Sequence, residues 1–198
     1  MLDVDPALVR ACQRGEPAAL EELISATYAD VYALSRRMLG DPDEAADATQ
    51  EVFVRVMRSV LGFRGNSAFG TWLHRITVNV CLTMLRKRSK AREAGLVAGR
   101  TPFGLPGDDS DVTSLGPAPD DQAVTSDLVS RSEAALATLP EDARTVVVLR
   151  DIEGLSTKEV ADLLGVSESV VKVRLHRAHV KLRSLVLGNP PIGNGGVA

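Results

Sequence analysis

Between Thr101 and Ser130 the chain carries six aspartates, four prolines and three glycines, and no lysine or arginine. A stretch of that composition cannot bury enough apolar surface to offset the entropy of ordering it, so it reads as a flexible acidic linker. It separates two zones of helical pattern in a chain of 198 residues. The fold class expected is all-α: two small helical domains, 1–95 and 131–187, joined by a linker over 96–130 and followed by a disordered tail over 188–198. Hydrophobic residues make up 44%, enough for two cores, and aromatics only 4%. Such cores favour helices with stripes of small aliphatics.

In the first zone, Asp41 can cap a helix that has Pro42 at its first position and Glu44 three residues on. Ala45, Thr49, Val52, Phe53, Val56, Met57 and Val60 then share one face, opposite Asp47, Gln50, Glu51, Arg55 and Arg58. Gly62 and Gly65 bracket a loop, Leu61 to Ser67. A helix follows from about Phe69 through Trp72, Leu73, Ile76, Val80 and Leu85. It ends in Arg86 to Arg92, five positive charges with no acid among them.

In the last zone, Thr145 to Leu149 is β-branched and resembles a buried strand by propensity. Pro140-Glu141-Asp142 looks like a helix start, and a lone strand would have no partner, so helix is the expectation. Ser156-Thr157-Lys158-Glu159 reads as a capping box whose helix turns Val160, Leu163 and Leu164 inward. Gly165 supplies a left-handed stop, and Ser167 caps a second helix with Val171, Leu175, Ala178 and Leu182 inside. This is a helix-turn-helix pattern.

The second helix of such a motif commonly enters the DNA major groove. Ser169, Lys172, Val173, His176 and Arg177 project away from its apolar face, and Glu168 to Arg183 holds five Lys/Arg against one acid. Cations reach guanine acceptors or phosphates. Val173 and Val180 are either scattered surface valines or, for Val173, a contact to a thymine methyl. In the first zone, Phe63, Arg64, Asn66 and Ser67 in a glycine-bracketed loop, with Asn79 beyond it, could capture an unstacked base, although Phe63 alone more often packs in a core. The net charge of −3 argues against coating nucleic acid by bulk charge, not against a local basic face. Cys12 and Cys81 read as buried reduced thiols. With no apolar run long enough for a membrane span and no secretory signal, cytoplasm is expected. His176 and His179 lie at i,i+3 with no Cys or acid placed beside them in sequence. Metal, cofactor and catalytic chemistry are therefore not expected.

The segment Phe63-Arg64-Gly65-Asn66-Ser67-Ala68-Phe69-Gly70-Thr71-Trp72-Leu73-His74-Arg75-Ile76, with Asn79 and the basic run, resembles the promoter-melting region of extracytoplasmic-function sigma factors. Asp47-Ala48-Thr49-Gln50-Glu51-Val52-Phe53 resembles their polymerase-binding helix. Leu139-Pro140, Asp151 to Ser156, Leu163 to Ser167 and Leu175 to Ala178 resemble their second domain. The resemblance implies a transcription initiation factor, not an enzyme, serving stress responses. Its partners would be promoter DNA, as duplex and single strand, and the RNA polymerase core, through the clamp helices of the largest subunit and the beta-subunit flap. It also implies an anti-sigma factor. Asp47, Gln50, Glu51 and Phe53 would bind the core. Phe63, Arg64, Asn66, Ser67, Arg75, Asn79, Arg86 and Arg88 would bind the −10 element. Ser167, Ser169, Lys172, Val173, Arg174, His176 and Arg177 would bind the −35 element. The linker would thread toward the active-site and RNA-exit path. Asn66, Thr83 and Val173 depart from the acidic residue, aspartate and serine common in relatives, which bears on promoter sequence rather than class. The alternative is a stand-alone helix-turn-helix regulator, which would leave Phe63 to Asn79 without a role.

Overall fold

A computed structural model describes residues 4–95 and 131–187. The linker and tail expectations, 96–130 and 188–198, lie outside the described residues. The chain divides into two compact units, Met1–Gly107 and Asp108–Ala198. Among the described residues all regular structure is helical, as the patterning predicts.

The first unit contains α1 (Pro6–Gln13), α2 (Pro17–Leu39), α3 (Pro42–Ser59), a 3-10 turn (Val60–Gly62) and α4 (Phe69–Glu93). Helices α2, α3 and α4 pack pairwise on one another, and α1 packs on α2 and the 3-10 turn. Proline opens α1, α2 and α3, where its missing N–H costs nothing. Asp5 Oδ1 accepts from the Ala7 amide at 2.7 Å, and Asp41 Oδ1 from those of Asp43 and Glu44 at 2.9 and 3.0 Å. Gly40, at φ +77°, ends α2 in the left-handed conformation immediately before Asp41 caps α3.

The expected apolar face of α3 is buried at Ala45, Thr49, Val52, Phe53 and Val56, and at Val60 just beyond it. Met57 is the correction. It lies four residues after Phe53, about 40° further round and at the outer edge of the stripe, and is 45% exposed. Thr27, Thr49 and Thr77 are buried without becoming orphans. Each hydroxyl donates to the carbonyl four residues back, on Leu23, Ala45 and Leu73, at 2.7, 2.7 and 3.0 Å. Cys12 and Cys81 are free and buried, as expected, with Cys81 Sγ 3.7 Å from Ser35 Oγ.

The second unit runs through a helix over 131–137 (α5), α6 (Glu141–Val147), a π-helical turn (Val148–Ile152), α7 (Thr157–Leu164) and α8 (Glu168–Leu187). The β-branched run is helical. Thr145 to Leu149 are all buried, and packing outweighs a weak propensity term. The capping box closes in both directions: Glu159 N–H donates to Ser156 Oγ at 3.2 Å, and Ser156 N–H to Glu159 Oε2 at 2.8 Å. Gly165 stops α7 at φ +67°. Val160 and Ala161 fill the core under α7, whereas Leu163 and Leu164 are only half-buried. On α8, Val171 and Ala178 are buried and Leu175 and Leu182 half-buried. Both α6 and α7 pack on this helix.

Candidate nucleic-acid interface

The turn Gly165–Ser167 sets the second helix of the motif against the first. The Val170 amide donates to Ser167 Oγ at 3.4 Å, so Ser167 serves as the start of α8. Beyond it, Ser169, Lys172, Val173, His176 and Arg177 are all exposed, on the face opposite Val171 and Ala178. Val180 shares that exposure. Arg174 does not belong with them. It sits three residues after Val171 and four before Ala178, so helical phase turns it inward. There its Nε lies 3.1 Å from Asp142 Oδ2 on α6, with the side chain 14% exposed. Burial pushes its pKa down and the Asp142 carboxylate opposes that shift. Its role is to tie α8 to α6, and the expected −35 contact through Arg174 is corrected.

In the first unit, Gly65 takes φ +69°, and Arg64 and Asn66 on either side are exposed with Ser67 half-buried. Phe63 packs in an aromatic cluster, its centroid 5.1 Å from Trp72 and 5.5 Å from Phe69 in edge-on contact. Its backbone carbonyl accepts a 2.6 Å hydrogen bond from Gln13 Nε2 of α1. Sequence reasoning missed Gln13, because no pattern links residues fifty positions apart. A cleft of about 440 Å³ opens between the start of α1 and this loop. Arg75, Asn79 and Arg86 are exposed on α4, whereas Arg88 is not a simple surface cation. Its Nη1 binds Glu44 Oε2 at 2.6 Å, with the side chain 19% exposed, which anchors the basic run of α4 to the first turn of α3.

On α3, Asp47, Gln50 and Glu51 are exposed. Glu51 pairs with Arg55 one turn on at 2.7 Å, and that hydrogen bond holds its carboxyl below the usual range. Phe53 is corrected: it is 6% exposed, with its ring 6.2 Å from Tyr28, so it supports the core rather than offering a contact. The histidine reading also changes. His179 Nε2 lies 2.6 Å from Asp151 Oδ2, an acid supplied by the π-helical turn. Among the described residues no three metal-binding side chains converge.

The family models for Sigma-70 region 2 and Sigma-70 region 4 match residues 23–91 and 133–182. The chain is 39% identical over 172 residues to the ECF RNA polymerase sigma factor SigE of Mycolicibacterium smegmatis, covering 85% of this chain and 63% of that protein. To SigW of Bacillus subtilis it is 31% identical over 180 residues, covering 88% and 92%. In fold it resembles RpoE of Bartonella quintana, solved with the anti-sigma factor NepR, at a TM-score of 0.53 and 22% identity, covering 86% of this chain and 98% of that one. It also resembles CnrH, solved with the cytosolic domain of CnrY, at 0.51 and 24%, covering 95% and 100%. The region 2 match accounts for the Phe63 to Asn79 segment that a stand-alone regulator would leave unexplained. The chain therefore belongs to the extracytoplasmic-function branch of the sigma-70 family, promoter-specific transcription initiation factors that act by binding and not by catalysis.

Proposed function

We propose that the second unit reads the −35 element as duplex and the first captures the melted −10 element, while the polymerase core performs synthesis. The observation that carries this reading is the exposed face of α8. A capped, glycine-stopped turn presents Ser169, Lys172, Val173, His176 and Arg177 together, away from the core. Arg177 and Lys172 would reach guanine edges or phosphates, and the Val173 methyls a thymine. The loop around Gly65, with Asn79, would hold a flipped base, whose extrusion costs a few kcal/mol that contacts must offset. Asp47, Gln50 and Glu51 would meet the clamp helices of the largest subunit, and the second unit the beta-subunit flap. The acidic linker would thread toward the active-site and RNA-exit path.

An anti-sigma factor is proposed as a further partner, by analogy with the RpoE–NepR complex. The proposed compartment is the cytoplasm, where core enzyme and promoter meet. None of the described helices is long and apolar enough to cross a membrane.

Transcription in vitro, with core polymerase and a promoter library, tests the assignment. Asn79→Ala holoenzyme should melt promoters slowly while binding core normally. Arg177→Ala should weaken −35 binding by about 1–3 kcal/mol. Absence of any specific transcript would refute the function. Normal melting by Asn79→Ala, or unchanged affinity and salt slope for Arg177→Ala, would remove those residues from the interface.

A further inference from the structure

The cleft beside the Gly65 loop has a wall that none of the recognised motifs contains. Val9, Arg10 and Gln13 of α1 line one side, and Phe63, Arg64 and Ser67 the other. Its volume of about 440 Å³ falls within the usual range for small-molecule pockets. Gln13 and Phe63 join the two walls through the 2.6 Å bond from Nε2 to the carbonyl. That carbonyl marks where the chain leaves the 3-10 turn toward Gly65, so the bond sets the entry angle of the loop. Arg10 lies one helical turn before Gln13, on the same side of α1, and is exposed.

We propose that α1 forms part of the single-strand site. The cleft takes one unstacked nucleotide, Gln13 positions the loop through the Phe63 carbonyl, and Arg10 and Arg64 hold the adjoining phosphate. Val9 and Phe63 offer apolar surface for a base and Arg10 and Arg64 offer cations for a phosphate, the combination used in single-strand capture. The inference rests on the reading of the Gly65 loop as the base-capturing element.

The test uses holoenzyme on promoters carrying 2-aminopurine singly at each non-template position of the −10 element. It reads fluorescence and open-complex half-life. Gln13→Ala and Gln13→Glu, which cannot donate to the carbonyl, should shorten the half-life by about tenfold and dim one labelled position. Gln13→Lys, which keeps a donor, should stay within about threefold of the parent. Arg10→Ala should also shorten the half-life and lower its salt slope by about one phosphate contact. Misfolding of a Gln13 variant would reduce the number of complexes without changing the lifetime of those formed, and Arg10 is a surface residue. Parent-like half-lives in all these variants, with Asn66→Ala and Asn79→Ala defective, would overturn the role of α1 alone. Parent-like behaviour in Asn66→Ala and Asn79→Ala as well would overturn the loop reading and this inference with it.

Discussion

Arg174 faces Asp142 while Arg177, three residues on, faces solvent, and helical phase alone separates their roles. Substituting each by alanine should therefore give opposite results. Arg174→Ala leaves the Asp142 carboxylate without its partner and should destabilise the second unit by about 1–3 kcal/mol in urea melts. The salt slope of DNA binding should not change. Arg177→Ala should alter DNA binding and leave the melt within about 0.5 kcal/mol of the parent. A reversed pattern would exchange the two assignments. Cys81 gives a second test at this scale. Burial lifts its thiol from the ordinary 9.0 to about 11, against a smaller opposing effect from Ser35. A raised folded-state pKa favours the protonated thiol, so the associated stability is complete below pH 9 and is lost as pH rises through about 11. The alkaline loss attributable to this thiol should be on the order of 2–3 kcal/mol. Cys81→Ala should flatten that limb of the pH–stability curve, and an unchanged limb would deny the thiol any part in it.

At the scale of elements, local caps set the boundaries and distant contacts set the angles. The reciprocal bonds of Ser156 and Glu159 start α7, and Gly165 ends it. Ser156→Ala should cost about 0.5–2 kcal/mol, the ordinary value of a lost N-cap. At Gly165 a Cβ would meet open space, so Gly165→Ala carries only the penalty of φ +67° on an L-residue, about 1–2 kcal/mol. Urea denaturation of the full chain measures both. A loss above about 4 kcal/mol for Gly165→Ala would mean a packing clash and refute the conformational account. In the first unit, the ion pair of Glu44 and Arg88 joins α3 to the basic end of α4, and Gln13 joins α1 to the Gly65 loop. The first link crosses between two helices and the second ties a helix to a loop, so each joins segments distant in sequence.

For the whole molecule the relevant quantities are net charge and division into two units. A net charge of −3 repels DNA at long range, so the basic face of α8 acts against the field of the rest of the chain. The free chain should therefore fail to retain a promoter duplex in a gel shift at physiological salt, where charge attraction is screened beyond about 8 Å. Holoenzyme should retain it, because the core supplies further contacts and holds the chain near the promoter. Tight, palindrome-dependent binding by the free chain would instead favour a stand-alone regulator.

Residue order alone determined the elements, because helix signals are local. Asp41-Pro42, Ser156 to Glu159, Gly165 and the spacing of Val171 and Ala178 each act within a turn or two of themselves. The caps, the helical class and the exposed cationic face of α8 were legible for that reason, and the family motifs reinforced them. The β-branched run at Thr145 was legible only from its neighbours, since its propensity points to strand and burial decides for helix. Tertiary structure alone decided which charged and aromatic residues remain available. Arg88 meets Glu44, Arg174 meets Asp142, His179 meets Asp151, and Phe53 is buried beneath the half-exposed ring of Tyr28. Each partner lies at least 25 residues away. Sequence periodicity states which way a side chain faces along its own helix, but only packing brings the partner helix that it meets.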